Sequence, residues 1–467
     1  MTRAGQPFAA RVLALLSLLA AGAGAQQTRR EQPPPLGTPK PFTLPARREL
    51  TLPNGMRITL VPFGTIPKVS VYCAVRAGHI DEGSNEIALS EVTADMMREG
   101  TTRRTGSQLA ADVAGMGGDL SASVGDDQTL VGGAVLSERG PEMVALVAEV
   151  LRSPSFPESE LARVTATQAR AVAIARSQPQ SVAREAFVRT LYGDHPYGRL
   201  FPTEAMLRGY TIAQVKEFYA HNFGATRAHL YVVGVFDAPQ MEKAARAAFE
   251  SWPAGSAPAV NPPHPRTGHS VTLLDRPAAV QSTIMLGLPV PDPTAKDYTA
   301  LEVTDALLGG TFGSRITTNI REAKGYTYSP FSSIDTHLHD AYWVQQADVT
   351  TKFTGASLKE IFGEIDKLQN QAPGTAELDG IKNNMIGLFT IRNGSRGGIV
   401  SQLAEADLQG LGGDYLSGYV KRVLAVQPAD VQRITKTYLK PGQMTLVVVG
   451  DKATVAEQLA PYEQPVP

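Results

Sequence analysis

Two stretches of this chain, 216 residues apart, repeat one pattern of apolar and polar positions. Val215–Gly234 aligns without gaps to Val431–Gly450, and five of the twenty positions are identical. In each copy an apolar period near 3.6 gives way to an unbroken apolar run, which predicts a helix, a turn and a buried strand. The pattern therefore predicts a fold built from two copies of one unit. A chance likeness between two helix–strand segments is the alternative.

A proline-rich segment separates the two copies. Residues 253–265 contain five prolines, and proline neither continues a helix nor donates to a sheet, so a linker is predicted there. Period-two and period-3.6 segments alternate on both sides of it. We therefore predict an α+β fold of two similar mixed α/β domains in tandem, at residues 48–252 and 266–467. The position of the linker favours duplication over chance.

The amino terminus has the pattern of a secretory signal peptide. Arg3 and Arg11 precede the apolar run Val12–Ala21, and Ala23–Ala25 is a small-residue cleavage site. We predict a signal peptide at residues 1–25 and a periplasmic mature protein, with a buried N-terminal helix as the alternative. The run is too short to span a bilayer, so no membrane span is predicted. Residues 26–47, rich in proline and polar residues, predict a disordered start.

Composition narrows the function classes. Hydrophobic residues make up 43% and charged residues 19% of 467 residues, as in ordinary globular proteins. The formal net charge is −1 and becomes −3 without the two arginines of residues 1–25, so no nucleic-acid partner is predicted. Cys73 is the single cysteine, so no intrachain disulfide can form, and we expect a buried, inert thiol. Asn54-Gly55 between two apolar alternations predicts a β-hairpin.

The segment Ala88–Thr101 resembles the zinc-site helix of the pitrilysin/insulinase metallopeptidases, the family that includes the mitochondrial processing peptidase. Active members carry His-x-x-Glu-His there. Two imidazoles one turn apart share a helix face and grip one zinc, while the Glu activates the metal-bound water. Here Glu91 and Asp95 stand at the two His positions, and Ala94 stands where the catalytic Glu would be. Ala94 has no group that could act as a base.

The third zinc ligand of the family is also missing. The resemblance implies a Glu about 76 residues past the second His position, and that count from Asp95 ends at Ala171. No histidine of the chain begins His-x-x-Glu-His or His-Glu-x-x-His. We therefore predict no metal ligand and no cofactor in this chain and expect zinc in a partner subunit. Glu91 and Asp95 are left either binding another ion or pairing with an arginine on a neighbouring element. A relocated metal site in a self-sufficient peptidase remains the further alternative.

The C-terminal half resembles the second active-site element of the family. Within Asn319–Ser329, Arg321 and Tyr328 have the family spacing of seven residues. The resemblance implies that they hold the substrate backbone and support the tetrahedral intermediate. Arg is a permanently charged, forked donor, and a Tyr hydroxyl can stabilise a developing oxyanion. Tyr326 competes for the Tyr role. Alternatively, Arg321 caps or pairs at a helix end and Tyr328 is a strand-edge aromatic.

One lost site and one retained site in the same chain suggest a non-catalytic subunit of a periplasmic zinc metallopeptidase of the insulinase family. Its expected partner is a catalytic subunit of that family carrying His-x-x-Glu-His. Its expected ligand is an extended peptide that pairs with an exposed sheet edge. The alternative is a structural or peptide-binding assembly subunit with no role in hydrolysis.

Overall fold

A computed structural model describes residues 42–465 of the chain. The predicted signal peptide lies outside these residues, as does the predicted disordered start up to residue 41. At residues 42–47 the backbone has no regular structure, and Phe42 packs edge to face on Phe389 with ring centroids 4.8 Å apart. This end of the predicted disordered start therefore contacts the C-terminal half.

Two mixed sheets organise the described residues. The first has the order β1-β2-β6-β3-β5-β4 and the second β7-β11-β8-β10-β9. The strands are β1 Arg48–Thr51, β2 Arg57–Pro62, β3 Lys68–Val75, β4 Ser121–Val124, β5 Thr129–Leu136, β6 Ala228–Gly234, β7 Ser270–Asp275, β8 Gln281–Val290, β9 Phe331–His337, β10 Asp340–Thr350 and β11 Thr445–Gly450.

The two sheets share one topology once β1 is set aside. In each, an outer strand pairs in parallel with the last strand of its half, β2 with β6 and β7 with β11, and the remaining pairs are antiparallel. This agreement confirms the predicted tandem of two similar mixed α/β domains. The added strand β1 pairs antiparallel with β2 across a turn in which Gly55 has φ +89°, so the predicted hairpin is also confirmed.

Helices cover the sheets. The α-helices of the described residues are Leu89–Arg98, Gly106–Gly115, Gly140–Arg152, Glu158–Ser177, Pro179–Tyr192, Glu204–Gly209, Ile212–Asn222, Ala238–Phe249, Tyr298–Asp305, Thr354–Asn370, Thr375–Arg392, Arg396–Leu408, Tyr419–Ala425, Pro428–Tyr438 and Lys452–Leu459. Two π-helical segments follow Asp305, at Ala306–Gly310 and Thr317–Ala323. Between residues 42 and 465, no helix is long and apolar enough to cross a membrane.

The two halves exchange one helix each. Pro179–Tyr192 belongs to the N-terminal half but packs on β8 and β11 of the C-terminal sheet. Conversely, Arg396–Leu408 packs on β3 and β6 of the N-terminal sheet. Each helix thus buries apolar side chains against the other half, and the hydrophobic core continues from one sheet to the other. Because of this exchange, the halves form one compact unit.

A buried polar contact fixes one side of this exchange. Asp407, on the exchanged C-terminal helix, accepts a hydrogen bond from the Tyr231 hydroxyl at 2.5 Å and lies 3.0 Å from His229 Nδ1. Arg57 Nη2 lies 3.1 Å from its other oxygen. Burial tends to raise the pKa of Asp407, but the His229 and Tyr231 contacts and the charge of Arg57 lower it to about 2. The carboxylate therefore stays ionised and ties the exchanged helix to the N-terminal sheet.

Candidate functional site

The helix Leu89–Arg98, which carries the degenerate zinc motif, begins at an unusual turn. Ala88 precedes it with φ +70°, a left-handed conformation that non-glycine residues rarely adopt. The carboxylate of Glu82 accepts the backbone N–H of Ala88 at 3.0 Å and that of Ser90 at 2.9 Å. A carboxylate suits this end of a helix because the first N–H groups have no partner within the helix. Glu82 therefore anchors the start of the helix.

Glu91, at the first lost His position, is paired with a histidine. His79 Nε2 lies 3.1 Å from Glu91 Oε1, and His79 Nδ1 lies 3.3 Å from Glu82 Oε1. Burial tends to lower the pKa of His79, but the hydrogen bonds and charges of the two glutamates outweigh it and raise this pKa well above 6.5. With a carboxylate at each ring nitrogen, the imidazole is held as a cation. Glu91 therefore pairs with a histidine and not with an arginine.

Asp95, at the second lost His position, is held by two side chains. Its Oδ1 lies 2.6 Å from Arg98 Nη2, and its Oδ2 accepts a hydrogen bond from Gln168 Nε2 at 2.8 Å. Gln168 lies on Glu158–Ser177, one turn before Ala171, which is exposed. Asp95 thus pairs with an arginine of its own helix and not, as was expected, with one on a neighbouring element. Helix Glu158–Ser177 contributes an amide here, where the family resemblance implies a carboxylate.

These residues do not fit a catalytic zinc. In the described part of the chain, His79, Glu82 and Glu91 are the one set of three potential ligands whose atoms lie within 4.8 Å of one another. A protonated imidazole offers no lone pair, and zinc binding requires the neutral ring. The oxygens of Glu82 already accept backbone N–H groups, and Ala94 is buried and supplies no base. The expectation of zinc in a partner subunit stays a prediction.

The structure brings Arg321 and Tyr328 together. Arg321 lies in the π-helical segment Thr317–Ala323, a geometry frequent at functional sites. Its guanidinium carbon lies 5.0 Å from the ring centroid of Tyr328 and 4.1 Å from that of Phe312, within the range of cation–π contacts. The nearest carboxylate is that of Glu322, 3.5 Å from Arg321 Nε. Within the described residues, the guanidinium of Arg321 therefore contacts two aromatic rings and forms no close ion pair.

The two candidate tyrosines have different surroundings. The ring of Tyr326 stacks on Phe353 with centroids 4.5 Å apart and is partly buried. By contrast, the side chain of Tyr328 is 78% exposed, and its hydroxyl makes no hydrogen bond within residues 42–465. A hydroxyl that acts on a substrate must be free to reach it, so the geometry favours Tyr328 over Tyr326. The catalytic role of Arg321 and Tyr328 stays a prediction.

Two members of these sites were not predicted from the sequence. Phe312 is 71% exposed and lies against Arg321; a single aromatic within the glycine-rich segment 307–315 was the available signal. His79 begins neither zinc motif, and its place three residues before Glu82 was the available signal. Its contact with Glu91 depends on the turn at Ala88.

Each sheet ends in an edge strand on the side away from its parallel pair. Strand β4 pairs with β5 alone and is therefore an edge of the first sheet, and helix Leu89–Arg98 packs beside it. Strand β9 is the corresponding edge of the second sheet. An edge strand presents unpaired N–H and C=O groups that can pair with an extended peptide. The expected mode of peptide binding is therefore available at both edges.

Comparison with known proteins places the chain in a family. The Insulinase (Peptidase family M16) domain matches residues 63–201, and the Peptidase M16 inactive domain matches residues 209–385. An uncharacterized zinc protease of Streptomyces coelicolor is 22% identical over 402 residues, which cover 84% of this chain and 87% of that protein. One of Mycobacterium tuberculosis is 25% identical over 368 residues, covering 77% and 81%.

Solved structures show the same fold. A protease from Helicobacter pylori superposes with a TM-score of 0.82 at 21% identity, covering 87% of this chain and 100% of that chain. A peptidase M16 inactive domain from Pseudomonas fluorescens superposes with a TM-score of 0.78 at 22% identity, covering 87% and 98%. The chain belongs to the insulinase family of peptidases, M16, as the resemblance at the degenerate zinc motif indicated.

Proposed function

We propose that this chain is a non-catalytic subunit of an insulinase-family zinc peptidase. It binds an extended peptide and presents Arg321 and Tyr328 to a partner that carries His-x-x-Glu-His. One observation carries the proposal: the chain has no base at Ala94, while Arg321 and Tyr328 remain in contact and Tyr328 remains exposed. The family match to an M16 inactive domain supports a role without hydrolysis by this chain itself.

The residues of this chain would bind the peptide backbone and stabilise the negative charge that develops during cleavage. A peptide strand added to the free edge of β4 or β9 is held through its backbone, so its side chains contribute less to recognition. The Arg321 guanidinium can donate hydrogen bonds to the carbonyl oxygens of a substrate backbone. Phe312 and Tyr328 keep it oriented, so little side-chain freedom is lost on binding. The Tyr328 hydroxyl can donate to an oxygen whose negative charge develops during peptide-bond cleavage.

Location and partnership follow from the same proposal. The pattern at residues 1–25 favours export to the periplasm, so the partner is sought there. The relatives from Streptomyces coelicolor and Mycobacterium tuberculosis are named zinc proteases, which supports peptide hydrolysis as the activity of the assembled complex.

The experiment is a pull-down of the tagged mature chain from its native envelope, followed by peptidase assays of the recovered complex. We expect a stoichiometric partner with His-x-x-Glu-His. In that complex, Tyr328→Phe should lower kcat by about 10²–10³, the usual cost of removing one oxyanion donor. Tyr326→Phe is the matched control and should leave kcat unchanged, because that ring is packed on Phe353. Complex assembly is checked by size-exclusion chromatography.

Equal turnover of wild type, Arg321→Ala and Tyr328→Phe in an intact complex would refute the Arg/Tyr role. We would then favour a second candidate function, in which the chain is a structural or peptide-binding assembly subunit. The observation that favours it is the internal pairing of Glu91 and Asp95, which stabilises the fold without any ligand. Recovery of the chain without any zinc-motif partner would support this second function.

A further inference from the structure

A cavity of about 340 Å³ in the C-terminal half occupies the place of the degenerate zinc site in the N-terminal half. In the N-terminal half, helix Leu89–Arg98 meets helix Glu158–Ser177 and the edge strand β4. In the C-terminal half, helix Tyr298–Asp305 meets helix Thr375–Arg392 and the edge strand β9 in the same way, and these elements line the cavity. The same kinds of element therefore meet at corresponding places in the two halves.

The sequence aligns these two places residue by residue. Glu-Val-Thr occurs at Glu91–Thr93 and again at Glu302–Thr304. Glu302 thus takes the place of Glu91, and Asp305 takes the place of Ala94. Positions three apart on a helix share a face, and both carboxylates line the cavity. The C-terminal cleft therefore holds an acidic pair where the N-terminal one has an acid and an alanine.

Glu302 forms no close ion pair among residues 42–465, although the charges of Arg422 and of Arg392, a basic residue of the cavity lining, act to lower its pKa. Its Oε2 is buried and has no hydrogen-bond partner among residues 42–465. The guanidinium of Arg422 is committed elsewhere, donating to the Tyr415 carbonyl at 2.8 Å and to Thr299 at 3.2 Å. Burial raises the pKa of Glu302 to about 8. A buried polar atom without a partner is costly, so the cavity is suited to a ligand that supplies the missing positive donor.

Asp305 is fixed in position to act with Glu302. Its Oδ1 accepts hydrogen bonds from Ser332 Oγ at 2.5 Å and Trp343 Nε1 at 2.7 Å. Burial raises the pKa of Asp305 to about 6 despite these two donors. Because both bonds reach one oxygen, neither uses Oδ2. The pair thus combines a rigid carboxylate with one that has no partner.

The size and walls of the cavity favour an organic cation. A volume near 340 Å³ lies within the range of small-molecule sites and far exceeds that of a bare ion. Met385, Phe389 and Tyr419 give it an apolar wall suited to an aliphatic chain. Glu302 and Asp305 do not form a set of three close His, Cys, Asp or Glu ligands in the described residues, as a metal site of this type would require. A peptide paired with β9 would pass its side chains beside this opening.

We propose that this cavity binds the primary ammonium group of a peptide, with Glu302 and Asp305 as its carboxylate partners. The ammonium can come from a lysine side chain or from a peptide amino terminus. The proposal extends the peptide-binding part of the proposed function, since it names a chemical group that the peptide must carry. It requires neither the partner nor Arg321 and Tyr328, so it can fail or succeed separately from them.

The test measures the binding of three labelled peptides of one polar sequence to the full mature chain by fluorescence anisotropy. The first is acetylated and contains one lysine, the second is acetylated with norleucine in its place, and the third has norleucine and a free amino terminus. We expect the first or the third to bind at least about tenfold more tightly than the second, as for hydrogen bonds to charged groups. Which of the two binds tightly identifies the source of the ammonium.

Glu302→Gln should abolish this preference, and Glu457→Gln, which changes an exposed glutamate, should leave it intact. Thermal melts establish that each variant is folded. Equal affinity of all three peptides for the wild type would overturn the proposal without any variant. So would an unchanged preference in folded Glu302→Gln. Calorimetric titration with Ca²⁺, Mg²⁺ or Zn²⁺ alone is the last arm, and stoichiometric binding that Glu302→Gln removes would assign the cavity to a metal instead.

Discussion

Phe187 is the side chain through which the exchanged N-terminal helix is most firmly packed on the C-terminal sheet. It has no exposed surface, and its ring centroid lies 5.5 Å from that of Tyr342. Its Cζ lies 2.9 Å from the place where a Cβ of Gly287 would stand, so the strand has room for the ring only because residue 287 is glycine. Phe187→Ala removes the ring from between a helix and a sheet that are each braced by other contacts, and the gap cannot close easily.

We expect Phe187→Ala to lower the free energy of unfolding by about 3–5 kcal/mol. The lost transfer of the ring accounts for about 1.5–3 kcal/mol, and the residual cavity raises the total to the range typical of buried Phe→Ala changes. Urea unfolding followed by circular dichroism measures this loss. It should appear as a lower midpoint concentration of urea, with no change in the slope of the unfolding free energy against urea concentration. Phe312→Ala is the control: this ring is 71% exposed, and its loss should change stability by no more than about 1 kcal/mol. A loss below about 1 kcal/mol for Phe187→Ala would refute the tight packing of the exchanged helix.

Three further predictions concern single residues. Glu82 and Glu91 raise the pKa of His79 in the folded state. The stability that the protonated ring contributes is therefore fully present below pH about 6.5, the pKa in the unfolded chain, and is lost as the pH rises through the higher pKa of the folded state. The difference in urea midpoint between wild type and His79→Gln should therefore shrink between pH 6 and 9; a constant difference would contradict this. His339 is exposed with φ +59°, so His339→Gly should add about 0.5–1 kcal/mol of stability in the same assay, whereas His339→Ala should add none. Burial raises the pKa of the Cys73 thiol, so a thiol reagent should label it in urea and not in the native state; rapid native labelling would contradict its burial.

The duplication could be predicted because buried strands leave a simple signature. Strands β6 and β11 are covered on both faces, so each requires an unbroken apolar run, and the runs are recognisable 216 residues apart. The exchange of helices could not be predicted in this way. The apolar positions of Pro179–Tyr192 show that the helix has a buried face, but the sequence does not show which sheet covers it.

The residues of the two candidate sites also differ in how far the sequence could predict them. Arg321 and Tyr328 could be predicted to act together because both belong to one short segment with a recognisable spacing. The contact of Phe312 with Arg321 could not be predicted, since an exposed aromatic and a core aromatic look alike in a sequence. Glu302 could not be predicted either, because a glutamate in a helical pattern is usually solvated. Only the tertiary structure shows that it lines a cavity.

The two halves deal with a buried acid in different ways at these corresponding places. In the N-terminal half, the protonated ring of His79 supplies the positive charge for Glu91, and the site is complete without a ligand. In the C-terminal half, no cation forms a close ion pair with Glu302 within the described residues, and burial raises its pKa to about 8 although the charges of Arg422 and Arg392 oppose this. Because the halves descend from one unit, the difference between these places lies in a few side chains. The acid of the N-terminal half is paired within the chain, and the proposed ammonium site therefore lies in the C-terminal half.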